Sequence, residues 1–118
     1  LICGVSYRQD IGDSRFSPSE ILVNELVLQG AKVDCHDPYL SYWNELECEL
    51  LKDLPGPSNY DAVVFTVPHK QYKDLDLASW GNQSIVILDA NGVFNSKNRA
   101  IFRLAGINIE SIGVGNGL

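Results

Sequence analysis

With 118 residues, 45% of them hydrophobic, the chain carries enough apolar material for one domain-sized core and too much for a disordered segment. Its net charge of −6, with nine scattered Lys and Arg, argues against nucleic acid as a partner, because phosphate neutralisation needs clustered cations. No apolar run approaches the roughly 18 residues of a membrane-spanning helix, and the first residues lack the basic segment and cleavage pattern of a secretion signal, so neither membrane insertion nor export is expected.

The three cysteines, Cys3, Cys35 and Cys48, are odd in number and lack CxxC spacing. That usage fits a reducing compartment, so cytoplasm is the expected location and core packing the expected role of Cys3 and Cys35. The chain opens on an apolar, strand-like residue and contains no Met. We therefore expect a single domain, residues 1–118, belonging to a polypeptide that begins upstream.

In chain order, residues 1–6 read as a buried strand and residues 8–16 as a polar loop. Ser17-Pro18-Ser19-Glu20 marks a helix start, with Ser17 as cap, Pro18 at the first helical position and Glu20 reaching back to complete a capping box. Leu22, Val23, Leu26 and Val27 recur at helical spacing, and Gly30 supplies a left-handed stop. Residues 31–36 form a second strand, closed by Asp37-Pro38, with His36 expected in the turn. A helix is expected through Trp43, Leu46 and Leu50, with Glu45, Glu47 and Glu49 on its outer face. After the Pro55-Gly56-Pro57-Ser58 break comes an apolar strand at residues 61–67, then a weak helical stretch at 72–80 and a fourth strand at 84–88. A last helix capped by Ser96 turns Ile101, Leu104 and Ala105 inward and stops at Gly106, and residues 107–112 make a fifth strand.

Five strands alternating with helices predict a Rossmann-like α/β fold, a three-layer α/β/α doubly wound five-stranded parallel sheet. The expected strand order is 3-2-1-4-5, which reverses the winding between strands one and four and opens a crevice at their carboxyl ends, bordered by loops 7–16 and 89–95. Tyr7 and Arg8 leave the first strand side by side, and Arg15 follows just before a helix N-terminus. Such a loop offers a stacking face, charge-assisted donors and a helix dipole to an anionic, partly aromatic ligand, and a nucleotide fits.

The pattern Gly4, Ser6, Tyr7, Arg8, followed by Asp13, Arg15, Ser17 and Pro18, resembles the start of the C-terminal domain of the nucleotide-sugar dehydrogenases, the UDP-glucose and UDP-N-acetylmannosamine 6-dehydrogenase family. The likeness runs on through Gly30-Ala31-Lys32-Val33, His36-Asp37-Pro38-Tyr39, Tyr60-Asp61-Ala62, Val67-Pro68-His69, Asp89-Ala90-Asn91-Gly92-Val93 and Ala105-Gly106-Ile107. It implies a UDP-sugar substrate enclosed partly by this domain, with Tyr7 and Arg8 near the nucleotide; to these we add, from their places in the loops, Arg15 and Asn91 as expected substrate contacts and Asp13, Asp89 and His69 as expected supporting loop residues. Asn91 stands where family members often have Arg or Lys, a departure that removes a positive charge. The resemblance also implies an NAD-binding domain and a catalytic-cysteine region upstream, oxidation of the sugar C6 alcohol to a carboxylate through a thioester with two NAD+, and a homodimer or higher homo-oligomer. It places the protein in polysaccharide biosynthesis.

Within residues 1–118 the expected catalytic residues are none and the expected metal ligands none, so this chain alone is expected to be inactive. No Gly-x-Gly-x-x-Gly links the first strand to a helix, and residues 113–117 read as a tail rather than a phosphate loop. Asp13 and Arg15 either pair with each other or touch ligand. His69 either faces the cleft or is a hydrogen-bonded structural group. An alternative function is an interaction module of the same layered fold that fixes subunit geometry without touching substrate.

Overall fold

The computed structural model describes residues 1–80 and 85–111. In chain order the strands are β1 (Ile2–Cys3), β2 (Cys35–His36), β3 (Tyr42–Trp43), β4 (Cys48–Glu49), β5 (Ala62–Phe65), β6 (Val86–Asp89) and β7 (Ile109–Ser111). The α-helices are α1 (Pro18–Leu28), α2 (Lys70–Lys73) and α3 (Ser96–Leu104), and Leu77–Trp80 forms a 3-10 turn. Strands β1, β2, β5, β6 and β7 make one five-stranded sheet, paired in parallel throughout. The expected α/β class stands.

Both sheet faces are covered, which is why these strands read as continuous apolar runs. Successive side chains point to opposite faces. Cys3, Val63, Phe65 and Ile87 pack with Tyr72, Leu77, Phe94 and Phe102 on one side, while Ile2, Val64 and Val5 pack with Val23, Trp43 and Leu50 on the other. Helix α1 begins where expected, with Ser17 Oγ accepting the Ser19 amide at 3.2 Å and Pro18 opening the first turn, but the expected capping box is not completed, since among the described residues the Glu20 carboxylate makes no bond back to Ser17. Gly30 follows at φ 91°.

The strand order differs from the expected one. Counting the five parallel strands along the chain, the order is 2-1-3-4-5, because β5 and not β6 lies beside β1. The local reason sits at Gly4, which at φ 115° ends β1 and lets it close on the segment after β5. A Cβ there would stand 2.7 Å from Val67 N. The Thr66 hydroxyl donates to the Gly4 carbonyl, and the Ser19 hydroxyl donates to the same oxygen at 2.7 Å, drawing in α1. The winding therefore reverses between β1 and β5, and the crevice opens at their carboxyl ends.

Three local expectations also give way. Residues 42–49 form an antiparallel hairpin in which Trp43 pairs with Cys48, not a helix. Leu46, Cys48 and Leu50 alternate with Glu47 and Glu49, a period-two pattern that three apolar residues at helical spacing obscured. His36 is a buried strand residue, with Nδ1 2.8 Å from the Tyr72 hydroxyl. In α3 the cap is Asn95, whose Oδ1 accepts the Asn98 amide at 2.8 Å, and Phe102 turns inward, leaving Leu104 92% exposed and Ile101 half-exposed. The expected tail at residues 113–117 lies outside the described residues.

Candidate functional site

Two buried acids organise the carboxyl edge of the sheet. Asp37, one residue past β2, is fully buried, and its Oδ2 accepts the Val5 amide, the Ser6 amide, the Ser6 hydroxyl and His69 Nε2–H, each at 2.9 Å. Its Oδ1 accepts the Tyr39 amide at 2.9 Å. Burial alone drives the Asp37 carboxyl upward. The bond from His69 and those from the Val5, Tyr39 and Ser6 amides outweigh it, and they hold the group at about 2 instead of the ordinary 3.8. Asp89, at the end of β6, accepts the Asn91 and Val93 amides on Oδ1 and the Phe94 amide with Arg99 Nη2 on Oδ2, between 2.9 and 3.1 Å.

Loop 7–13 folds back onto this edge. Its root is closed by the Tyr7 amide donating to the Asp13 carbonyl at 2.6 Å. Its tip is Asp10, at φ 58°, whose amide donates to His69 Nδ1 at 2.8 Å and whose Oδ1 accepts the Lys70 amide at 2.8 Å and the Tyr39 hydroxyl at 3.2 Å. Gly12 presses against Tyr39, with a Cβ position 2.8 Å from its carbonyl oxygen. Tyr7 and Arg8 are thereby turned outward. The Arg8 guanidinium carbon lies 5.8 Å from the centre of the half-exposed Tyr7 ring.

Tyr7, Arg8, Gln9, Val67, Pro68 and Asn91 line a cleft of about 390 Å³ at the β1/β5 switch point. Asn91 reaches it because its Nδ2 donates to the Thr66 carbonyl at 3.1 Å. Arg15 does not belong to this group. It faces a separate cleft with Phe16, Pro18 and Glu45, and its guanidinium grips Asp13 through two bonds of 3.0 and 2.8 Å. Those bonds hold the Asp13 carboxyl at about 2. Of the residues singled out from sequence, the structure brings together Tyr7, Arg8 and Asn91, sets His69 behind them, places Asp89 beneath the Asn91 loop, and leaves Arg15 outside. A larger cleft, about 790 Å³ with mainly aliphatic walls, opens at the opposite end of the strands around Leu22, Leu26, Val33 and Tyr60.

Asp37 was missed as a site residue. Its signal was present in the sequence, an acid directly after a buried strand and before Pro38, yet its partners Ser6 and His69 lie 31 and 32 residues away. Cys3 and Cys35 are free thiols within the core; burial pushes both upward, Cys35 to about 12. Among the described residues, no group of three His, Cys, Asp or Glu is placed to hold a metal, and no helix is long and apolar enough to cross a membrane.

A doubly wound parallel sheet with a polar cleft at its switch point defines a Rossmann-like α/β domain. The sequence model of the UDP-glucose/GDP-mannose dehydrogenase family, UDP binding domain, matches residues 1–96, and the chain belongs to that family. Over 97% of its length it is 28% identical to the UDP-N-acetyl-D-mannosamine dehydrogenase of Methanocaldococcus jannaschii, covering 26% of that protein. Over 82% of its length it is 33% identical to the NDP-N-acetyl-D-galactosaminuronic acid dehydrogenase of Ralstonia solanacearum, covering 23%. The structure of the UDP-N-acetyl-mannosamine dehydrogenase Cap5O from S. aureus matches 93% of this chain and 24% of its own, with a TM-score of 0.65 at 19% identity, which shows the shared fold. The chain thus spans about a quarter of the length of these relatives.

Proposed function

We propose that this chain holds the UDP portion of a UDP-sugar for an NAD-dependent 6-dehydrogenase, in the cleft between the β1 and β5 ends. The observation that carries the reading is the convergence of Tyr7, Arg8 and Asn91 at the switch point, on a chain of a UDP-binding family. Tyr7 supplies a face for the base or ribose and Arg8 a cation for the diphosphate, while Asn91 adds a neutral polar contact. Arg15, held in an exposed pair with Asp13, contributes little to this cleft.

In this reading the rest of the polypeptide, in a cytoplasmic homo-oligomer, binds NAD and carries the catalytic cysteine. The sugar C6 alcohol is oxidised there to a carboxylate. The described residues do not fit a dinucleotide cradle: Gly4 to Ser17 separates β1 from α1, and Gly12 is packed on Tyr39 rather than open to a pyrophosphate. Titration of the chain with UDP tests the assignment, with weak binding expected for the wild type and a loss of about tenfold or more for Arg8→Ala. No NADH should form from UDP-glucose and NAD+ with this chain alone.

A second reading, an interaction module that sets subunit geometry, is favoured by Phe16, Ile21 and Leu28, which are 86, 76 and 82% exposed. If Arg8→Ala alters assembly and leaves UDP affinity intact, this second reading replaces the first.

A further inference from the structure

We propose that His69 is the positioning residue of the nucleotide cleft, its bare Nδ1 holding the Asp10 amide and thereby the loop that presents Tyr7 and Arg8. The inference rests on the reading of Tyr7, Arg8 and Asn91 as ligand contacts. The imidazole is fully buried, and each ring nitrogen meets a partner that fixes its role. Asp37 Oδ2, an ionised carboxylate already accepting from Val5 and Ser6, requires a donor, so Nε2 carries the hydrogen. The Asp10 amide can only donate, so Nδ1 is the acceptor. The neutral tautomer is imposed from both sides.

This arrangement links three strand ends to one loop. Asp37 follows β2, its amide donors Val5 and Ser6 follow β1, and His69 follows β5. What the locked ring passes on is a single acceptor, aimed at the loop tip. Asp10 there adopts a left-handed φ of 58°, a region Asp enters more readily than most side chains, and the three bonds on this residue hold it there. Of the three bonds on Asp10, those from the Lys70 amide and the Tyr39 hydroxyl are exposed and compete with water. The bond to His69 is partly buried and is therefore the stronger restraint.

Two substitutions separate the functions of the ring. In His69→Asn the amide oxygen can take the place of Nδ1 and the Asp37 contact is lost; in His69→Gln the amide nitrogen can take the place of Nε2 and the Asp10 acceptor is lost. The positioning role predicts that H69N binds UDP within about twofold of wild type, whereas H69Q binds roughly fivefold more weakly and exchanges its Asp10 amide hydrogen faster by a similar factor. A purely structural role predicts that affinity follows stability, with H69Q, which keeps the buried Asp37 satisfied, the better on both counts. The proposal is overturned if the two variants rank alike in UDP affinity and melting temperature, or if Asp10 exchange in H69Q matches wild type. Should H69N fail to fold, the exchange rate in H69Q decides alone. Arg8→Ala serves as the reference: if it binds UDP as wild type does, the assignment of the cleft fails, while the exchange comparison still judges the tether.

Discussion

Asp37 and Asp89 are the same device used to different ends. Each is a buried carboxylate just at or past the end of a parallel strand, and each collects backbone amides that would otherwise lack partners. Asp89 is completed by Arg99, whose guanidinium also donates to the carbonyls of Phe94 and Ile109, so the arrangement closes within the β6–α3 turn and β7. Asp37 is completed by a neutral imidazole, whose second nitrogen continues outward to Asp10. A cation ends the chain of bonds, and an imidazole extends it to the loop at the cleft.

The larger loss is expected at Asp89. Asp89→Ala leaves the part-buried Arg99 without its counter-ion and three amides without acceptors, and we expect a loss of about 3 kcal/mol or more in denaturant unfolding. Asp37 gives a smaller effect with a pH signature. Its folded-state value of about 2 lies below the ordinary 3.8, so its contribution is present above 3.8 and is lost as pH falls through about 2. Between about pH 5 and pH 2 the wild type should lose about 2 kcal/mol more stability than Asp37→Asn, measured by urea unfolding at each pH. Arg15→Ala should do least. Its pair with Asp13 is 73% exposed on the arginine side and lies outside the Tyr7 cleft, so UDP affinity and melting temperature should both stay near wild type.

Much of the sheet could be read from the sequence because strands covered on both faces appear as uninterrupted apolar runs, as at Val63, Val64 and Phe65. Helix α1 was equally plain, since Ser17 and Pro18 fix its start by local chemistry. Strand order was not, because it depends on a contact between Gly4 and Val67 that neither segment announces alone. Tyr7 and Arg8 were legible as neighbours leaving a strand. Their support was not, since Asp37, His69 and Asp10 come from three separate segments and meet only when β5 takes its place beside β1. Arg15 looked like a companion of Arg8 in sequence, yet its two bonds to Asp13 turn it toward α1.

Where the nucleotide sits can be read from an NMR titration of the 15N-labelled chain with UDP. Amide shifts should gather at Tyr7, Arg8, Gln9 and Asn91, with Asp10 and His69 following as the loop tightens. Shifts gathered instead around Leu22, Leu26 and Tyr60, in the larger aliphatic cleft at the far end of the strands, or no shifts at all, would contradict this placement.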